Sequence, residues 1–210
     1  MLIARLIRKG NKVKILFDDS SFIIISYEVA MESGLRKNDE ITEKRKEELI
    51  TCNELYEIKS SAFRLLARRL HSKKELKNKL AQKKFRKDLI EQILDDLEDK
   101  KYLDDVEFAE RYASEKISLK KIGVERLKGE LFQKGIARDI IDSVISKYDN
   151  DPLIMENALV VAQKKMNELS RKKFNKLQKK QKLYQFLRSK GFQGDVIGNT
   201  INLLDITEDE

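Results

Sequence analysis

Ser72-Lys73-Lys74-Glu75-Leu76-Lys77-Asn78-Lys79-Leu80-Ala81-Gln82-Lys83-Lys84-Phe85-Arg86-Lys87-Asp88 occurs in this chain in three variant forms. Its frame is Leu76, Leu80, Lys83 and Phe85. Leu127, Leu131, Lys134 and Ile136 repeat that frame, and Leu183, Leu187, Lys190 and Phe192 repeat it again. An Asp follows each copy at one offset (Asp88, Asp139, Asp195), and then an apolar pair: Leu89/Ile90, Ile140/Ile141, Val196/Ile197. The copies lie 51 and 56 residues apart. A near-constant period of this length marks a row of small modules, not one domain around one core.

Each copy has the grammar of a helix, a turn and a second helix. Leu residues four apart share a helix face. Gly135 and Gly191 stand where a helix ends in a left-handed residue, and Lys84 occupies that column in the first copy. The aligned Asp falls at the start of the next helix, where the dipole favours an acid. An entering helix precedes each copy, so each module is expected to hold three helices. Ser72-x-x-Glu75 and Asp104-x-x-Glu107 are capping patterns for helix starts, and Asp151-Pro152 supplies an N-cap with Pro at the first helical position.

Working outward, residues 42 to about 70 contain no Pro or Gly and space Leu49, Leu55, Ile58, Ala62, Leu65, Leu66 and Leu70 as a helix would, with a bend expected near Ser60-Ser61. The N-terminus differs. Leu2–Ile7, Val13–Phe17 and Phe22–Ile25 are short β-branched runs separated by Lys9-Gly10-Asn11-Lys12 and Asp18-Asp19-Ser20-Ser21. They predict a small antiparallel meander, with a helical turn over 27–33 ended by Gly34. The expected organisation is mainly α: a β-rich region over 1–41, a long helix plus first repeat over 42–103, a second repeat over 104–150, a third over 151–205, and an acidic tail over 206–210.

Composition narrows the function classes. Of 210 residues, 38% are charged and 7% aromatic, with no Trp, so the cores are thin and aliphatic. The lone Cys52 excludes an internal disulfide, and the lone His71, read as a turn residue, argues against a zinc site. Arg5, Arg8 and Lys9 interrupt any signal-peptide pattern, and no apolar run is long enough to span a membrane. The expectation is a cytoplasmic monomer without cofactor or metal. No phosphate-binding Gly-rich loop is present. Asp95, Asp96, Glu98 and Asp99, with Asp104 and Asp105, lack the accompanying groups of a nuclease site and read as helix caps and a solvated face. Phe85, Phe108, Tyr112 and Phe192 fall at apolar module positions and read as core.

Charge is distributed in blocks. Residues 64–87 carry eleven Lys/Arg against the single acid Glu75. Residues 88–115 carry eleven Asp/Glu against Lys100, Lys101 and Arg111. Residues 164–190 return to eleven Lys/Arg against Glu168. Basic blocks attract polyanions or acidic protein faces; a merely solvated Lys-rich face is the competing reading. The candidate contacts are Arg64, Arg68, Arg69, Lys73 and Lys77 in the first module, Lys120, Lys121 and Arg126 in the second, and Lys172, Lys173, Lys179, Lys180 and Lys182 in the third.

Four stretches together resemble the RecX family of bacterial recombinase regulators: Ala62-x-x-Leu65-Leu66-Ala67-x-Arg69, Ser72-x-x-Glu75-Leu76-x-x-x-Leu80-x-x-Lys83, Tyr102-Leu103-Asp104-Asp105-x-x-Phe108-Ala109, and Lys121-x-Gly123-x-x-Arg126-Leu127-x-x-Glu130-Leu131-x-x-Lys134-Gly135-Ile136. The resemblance covers about residues 60–205, and Gly34-Leu35-Arg36-Lys37 after the β-rich start is similar to longer members. It implies tandem three-helix repeats. It also implies a non-enzymatic regulator that binds the RecA recombinase, chiefly as a filament on single-stranded DNA, and inhibits its ATPase, strand-exchange and coprotease activities. That places the chain in homologous recombination, DNA repair and the SOS response. Direct binding of single- or double-stranded DNA without a recombinase is the alternative. Lys84, where the family has Gly, and the lengthened basic segment of the third module depart from the pattern.

Overall fold

In the computed structural model, which describes residues 1–204, the chain divides into two compact units, one running Met1–Leu103 and the other beginning at Asp104. The expected acidic tail lies outside the described residues.

The first unit opens with the meander: β1 (Ile3–Lys9), β2 (Lys12–Phe17) and β3 (Phe22–Ser26), antiparallel in the order β1-β2-β3. A register shift between Ile3 and Arg5 marks a bulge in β1, and an isolated bridge from Leu2 to Glu40 ties down the chain start. One sheet face carries Ile3, Val13, Ile15, Phe17, Ile23 and Ile25 into a core shared with Val29 and Ala30 of α1 (Tyr27–Glu32), Ile41 and Leu49. Gly34, at φ +64°, follows the end of α1.

The long helix α2 (Glu43–Leu66) serves two cores. Thr42 caps it by accepting from the Arg45 N–H at 3.1 Å. Its first half gives Leu49 to the sheet core, and its second half gives Ile58 and Ala62 to the first module. It continues through Ser60-Ser61. Ser61 is buried, and its hydroxyl takes hydrogen bonds from Lys83 (3.1 Å) and Arg64 (3.2 Å). The helix stops at Leu66, short of Leu70, because the chain must reverse before Ser72, which caps α3 (Lys73–Ala81). α4 (Lys87–Asp99) completes the module with Leu89, Ile90, Ile93, Leu94 and Leu97 buried against Leu76 and Leu80. Phe85 packs half-buried on this core.

The second unit repeats the plan twice. α5 (Asp105–Lys120), α6 (Val124–Gln133) and α7 (Arg138–Ser146) form one module; α8 (Pro152–Leu169), α9 (Lys176–Ser189) and α10 (Gly194–Leu203) form the next. Asp104 caps α5 by accepting from the N–H groups of Val106 and Glu107, and Asp151 caps α8 with Pro152 behind it. Leu127, Leu131, Leu183 and Leu187 are fully buried. Burying each such side chain contributes roughly 1.5–3 kcal/mol before entropy is counted. Phe108 and Phe192 are also core, while Tyr112 is half-buried.

The turn column behaves as one position in all three modules. Lys84, Gly135 and Gly191 are left-handed, at φ 64°, 83° and 89°. Lys84 therefore adopts the glycine conformation and does not alter the helix end, at the steric cost a Cβ brings there. Asp88, Asp139 and Asp195 lie in the first turns of α4, α7 and α10, whose N-cap residues make no side-chain cap. Each Asp therefore acts through the dipole, worth about 0.3–1 kcal/mol.

The second and third modules join through their backbones. The Gly123 N–H donates to Lys190 O at 2.9 Å, and the Glu125 N–H to Gly191 O at 3.0 Å. A Cβ on Gly123 would come within 2.2 Å of the Gly191 carbonyl, and one on Gly191 within 2.3 Å of the Arg126 Cβ. Only a residue without a side chain admits this approach.

Candidate partner-binding surface

In the first module two candidate lysines of the basic block are paired by the acidic block that follows it. Glu91, Asp95 and Glu98 lie on one face of α4, and α3 turns its lysines toward them. The Lys73 ammonium reaches Asp95 at 2.9 Å and Glu98 at 2.6 Å, and Lys77 pairs with Glu91. Hydrogen bonds from Lys73 to Glu98 and Asp95 hold its pKa above the usual lysine range. Asp96 pairs with Lys100 and, at 3.4 Å, with Lys59, and these partners lower its pKa. Arg69 reaches Glu75 at 2.9 Å. Of the five candidates here, only Arg64 and Arg68 have no acidic partner among the described residues. Arg64 bonds its own helix, at Ser60 O and Ser61 Oγ.

His71 is more than a turn residue. It is buried, its Nδ1 lies 3.0 Å from Arg69 O, and its Nε2 is buried without a partner among the described residues. Burial lowers its pKa.

In the second module two of three candidates are structural. Lys121 closes α5 in a left-handed conformation, and its ammonium donates to Asn157 Oδ1 at 3.0 Å. Asn157 is fully buried on α8 and donates to Ile117 O at 2.9 Å. Arg126 donates to Glu130 at 2.9 Å, where Lys116 (3.1 Å) and the Tyr112 hydroxyl (2.7 Å) converge. Burial alone would raise the Glu130 pKa; hydrogen bonds from Tyr112, Arg126 and Lys116 bring it down to about 2. Lys120 remains exposed and unpaired among the described residues.

In the third module Lys179 is only 2% exposed, so it is withdrawn from the candidate surface. Counting back by the repeat puts it under Gly123 and Ser72, both buried helix starts, and that alignment was the signal for its burial. Lys172, Lys173, Lys180 and Lys182 keep at least part of their surface. None forms a salt bridge among the described residues, although, beside the hydrogen bond from Lys165, the Lys172 charge helps lower the Glu168 pKa. The Lys182 ammonium lies 4.7 Å from the Phe174 ring centre. Lys176, exposed at the start of α9, joins this set. Cations at a helix N-terminus oppose the dipole, so helix stability does not account for them.

Cations without a salt bridge among the described residues therefore recur at one topological place, the end of each module's first helix: Arg64 in the last turn of α2 and Arg68 just past it, Lys120 on α5, Lys172 and Lys173 after α8. Among the described residues, no group of three His, Cys, Asp or Glu gathers as a metal site, and no helix is long and apolar enough to cross a membrane.

Three family models match the three modules in order. The first three-helix domain of RecX matches residues 59–97, the second 104–145 and the third 154–201. The chain belongs to the RecX family. The regulatory protein RecX of Clostridioides difficile is 32% identical over 197 residues, spanning 94% of this chain and 91% of its own length. That of Chlorobium phaeobacteroides is 38% identical over 141 residues, 67% of this chain and 89% of its own. A crystal structure of RecX from Lactobacillus salivarius superposes with a TM-score of 0.64 at 28% identity, covering 74% of this chain and 99% of that one. A second RecX crystal structure, with a TM-score of 0.74, covers 96% of this chain and at 21% identity speaks to the fold alone.

The RecX domain models begin at residue 59, inside α2. The sheet and the first half of α2 lie outside them, and none of the candidates read from the sequence falls there.

Proposed function

We propose that this chain is a non-enzymatic regulator that binds the RecA recombinase, chiefly as its filament on single-stranded DNA, and restrains its ATPase, strand-exchange and coprotease activities in the bacterial cytoplasm. The observation that carries this reading is membership of a family of regulatory proteins across all three modules. The cations without salt bridges at the first-helix ends support it, since a protein–DNA filament presents phosphates and acidic side chains that such cations attract. Binding there needs neither cofactor nor metal, and a monomer suffices.

The test is the DNA-dependent ATPase of the cognate recombinase with this protein added below stoichiometry. Reduced turnover and shorter filaments are expected; unchanged activity together with no binding would overturn the reading.

A second reading, direct DNA binding without a recombinase, is favoured by Lys172, Lys173, Lys176, Lys180 and Lys182 around the start of α9. It requires DNA affinity in the absence of recombinase that falls steeply as salt rises. Affinity that is absent at low salt excludes it.

A further inference from the structure

The outward face of the N-terminal sheet does not have the composition that solvent exposure predicts. An antiparallel sheet with one face on a core presents polar residues on the other. Here the register sets Arg5, Leu16 and Phe22 in one cross-strand row and Ile7, Lys14 and Ile24 in the next. Phe22 is 52% exposed, Ile24 49% and Ile7 38%. The three strands hold five Lys/Arg and no Asp or Glu. The adjoining acids are Asp18 and Asp19 in the β2–β3 turn, and Asp19 is held by the Ser21 N–H at 2.9 Å.

We propose that this face is a second docking surface, occupied by an acidic, aliphatic-rich segment of the partner protein. The proposal rests on the reading that the partner is the recombinase. Charge complementarity selects the occupant: a segment pairing carboxylates with Arg5 and Lys14 can lay aliphatic side chains on Ile7, Leu16, Phe22 and Ile24. The same face of a second copy would set like charges against each other. Single-stranded nucleic acid fits less well, because its bases stack on aromatic platforms. The patch has one aromatic ring, and the Lys14 ammonium already lies 3.9 Å from its centre. The surface is firmly mounted: the Ser26 N–H donates to Asn53 of α2 at 2.7 Å, and Lys12 pairs with Glu57 at 3.2 Å.

The experiment measures recombinase affinity of the full chain, with and without single-stranded DNA, for three proteins: wild type, the triple variant Ile7→Ser/Phe22→Ser/Ile24→Ser, and the charge variant Arg5→Glu/Lys14→Glu. A poly-dT oligonucleotide alone is the second probe. Both variants are expected to bind the recombinase roughly tenfold or more weakly, with poly-dT binding unchanged. The charge variant touches no core residue, so its result stands even if the triple variant folds poorly. If wild type binds and the charge variant binds equally well, the inference falls and the functional reading stands. If wild type does not bind the recombinase, both fall. A variant that loses poly-dT binding while keeping the recombinase shows a nucleic-acid face and overturns the proposal.

Discussion

In the first module Lys73 and Lys77 of α3 face Glu91, Asp95 and Glu98 of α4, whereas in the third Lys180 and Lys182 of α9 precede α10, whose one acid is Asp195. The two blocks hold the same number of basic residues. They differ in what the next helix brings back against them. In the first module Lys73 and Lys77 knit two helices together; in the third Lys180 and Lys182 are left to solvent or to a partner. A basic block in a repeat protein therefore says little until the helix that packs on it is known.

If the two modules differ only in charge, their cores should respond alike. Leu80→Ala and Leu187→Ala remove fully buried side chains from one repeat position. Each is expected to cost on the order of 2–5 kcal/mol, read from denaturant unfolding of the full chain. A large gap between them would break the equivalence on which the comparison rests.

The next effect is confined to the joint between the second and third modules. Gly123→Ala places a Cβ within 2.2 Å of the Gly191 carbonyl, and forcing the backbones apart is expected to cost roughly 1–3 kcal/mol or more. The control is Gly129→Ala, on the same helix with open space around it. That change should be neutral or slightly stabilising. Equal losses at the two glycines would remove the argument for a backbone crossing.

The second module handles its charges in a third way, by gathering Lys116, Arg126 and Tyr112 on Glu130. The folded-state pKa of Glu130, about 2 against an ordinary 4.5, gives a definite sign. A depressed carboxyl pKa stabilises the fold above the unfolded-state value and loses that contribution as protons bind the folded state. The stability gap between wild type and Glu130→Gln should be constant above about pH 4.5 and shrink as the pH falls toward about 2. It should be on the order of 1 kcal/mol, discounted for partial exposure. A gap that does not change over that window would show that Glu130 acts by packing alone.

Much of this was legible in sequence because it is local. The paired Leu residues, the left-handed column, the dipole-matched Asp and the three short strands each follow from neighbours a few residues away. Lys84 shows how far such reading extends: it departs from the glycine pattern yet takes the same φ. The candidate surface was less legible, because pairing is decided across helices. Nothing within residues 64–87 reveals that Lys73 will meet Glu98, or that Lys121 will reach Asn157, 36 positions on. Lys179 lies between these cases. Its type said surface, while its repeat column said burial.

The smallest effect on stability separates the two helices most cleanly. Lys73→Ala removes two exposed ion pairs and should destabilise the chain by no more than about 1 kcal/mol, while leaving filament or DNA affinity unchanged. Lys180→Ala removes no pair among the described residues and should leave stability unchanged within about 0.5 kcal/mol, while lowering affinity and flattening its salt dependence. The crossed outcome is the informative one, because a general loss of fold or a general loss of positive charge would move both variants in the same direction. Thermal unfolding and a salt-series binding titration on both variants therefore decide whether a lysine's role follows from its charge or from the acids of the helix beside it.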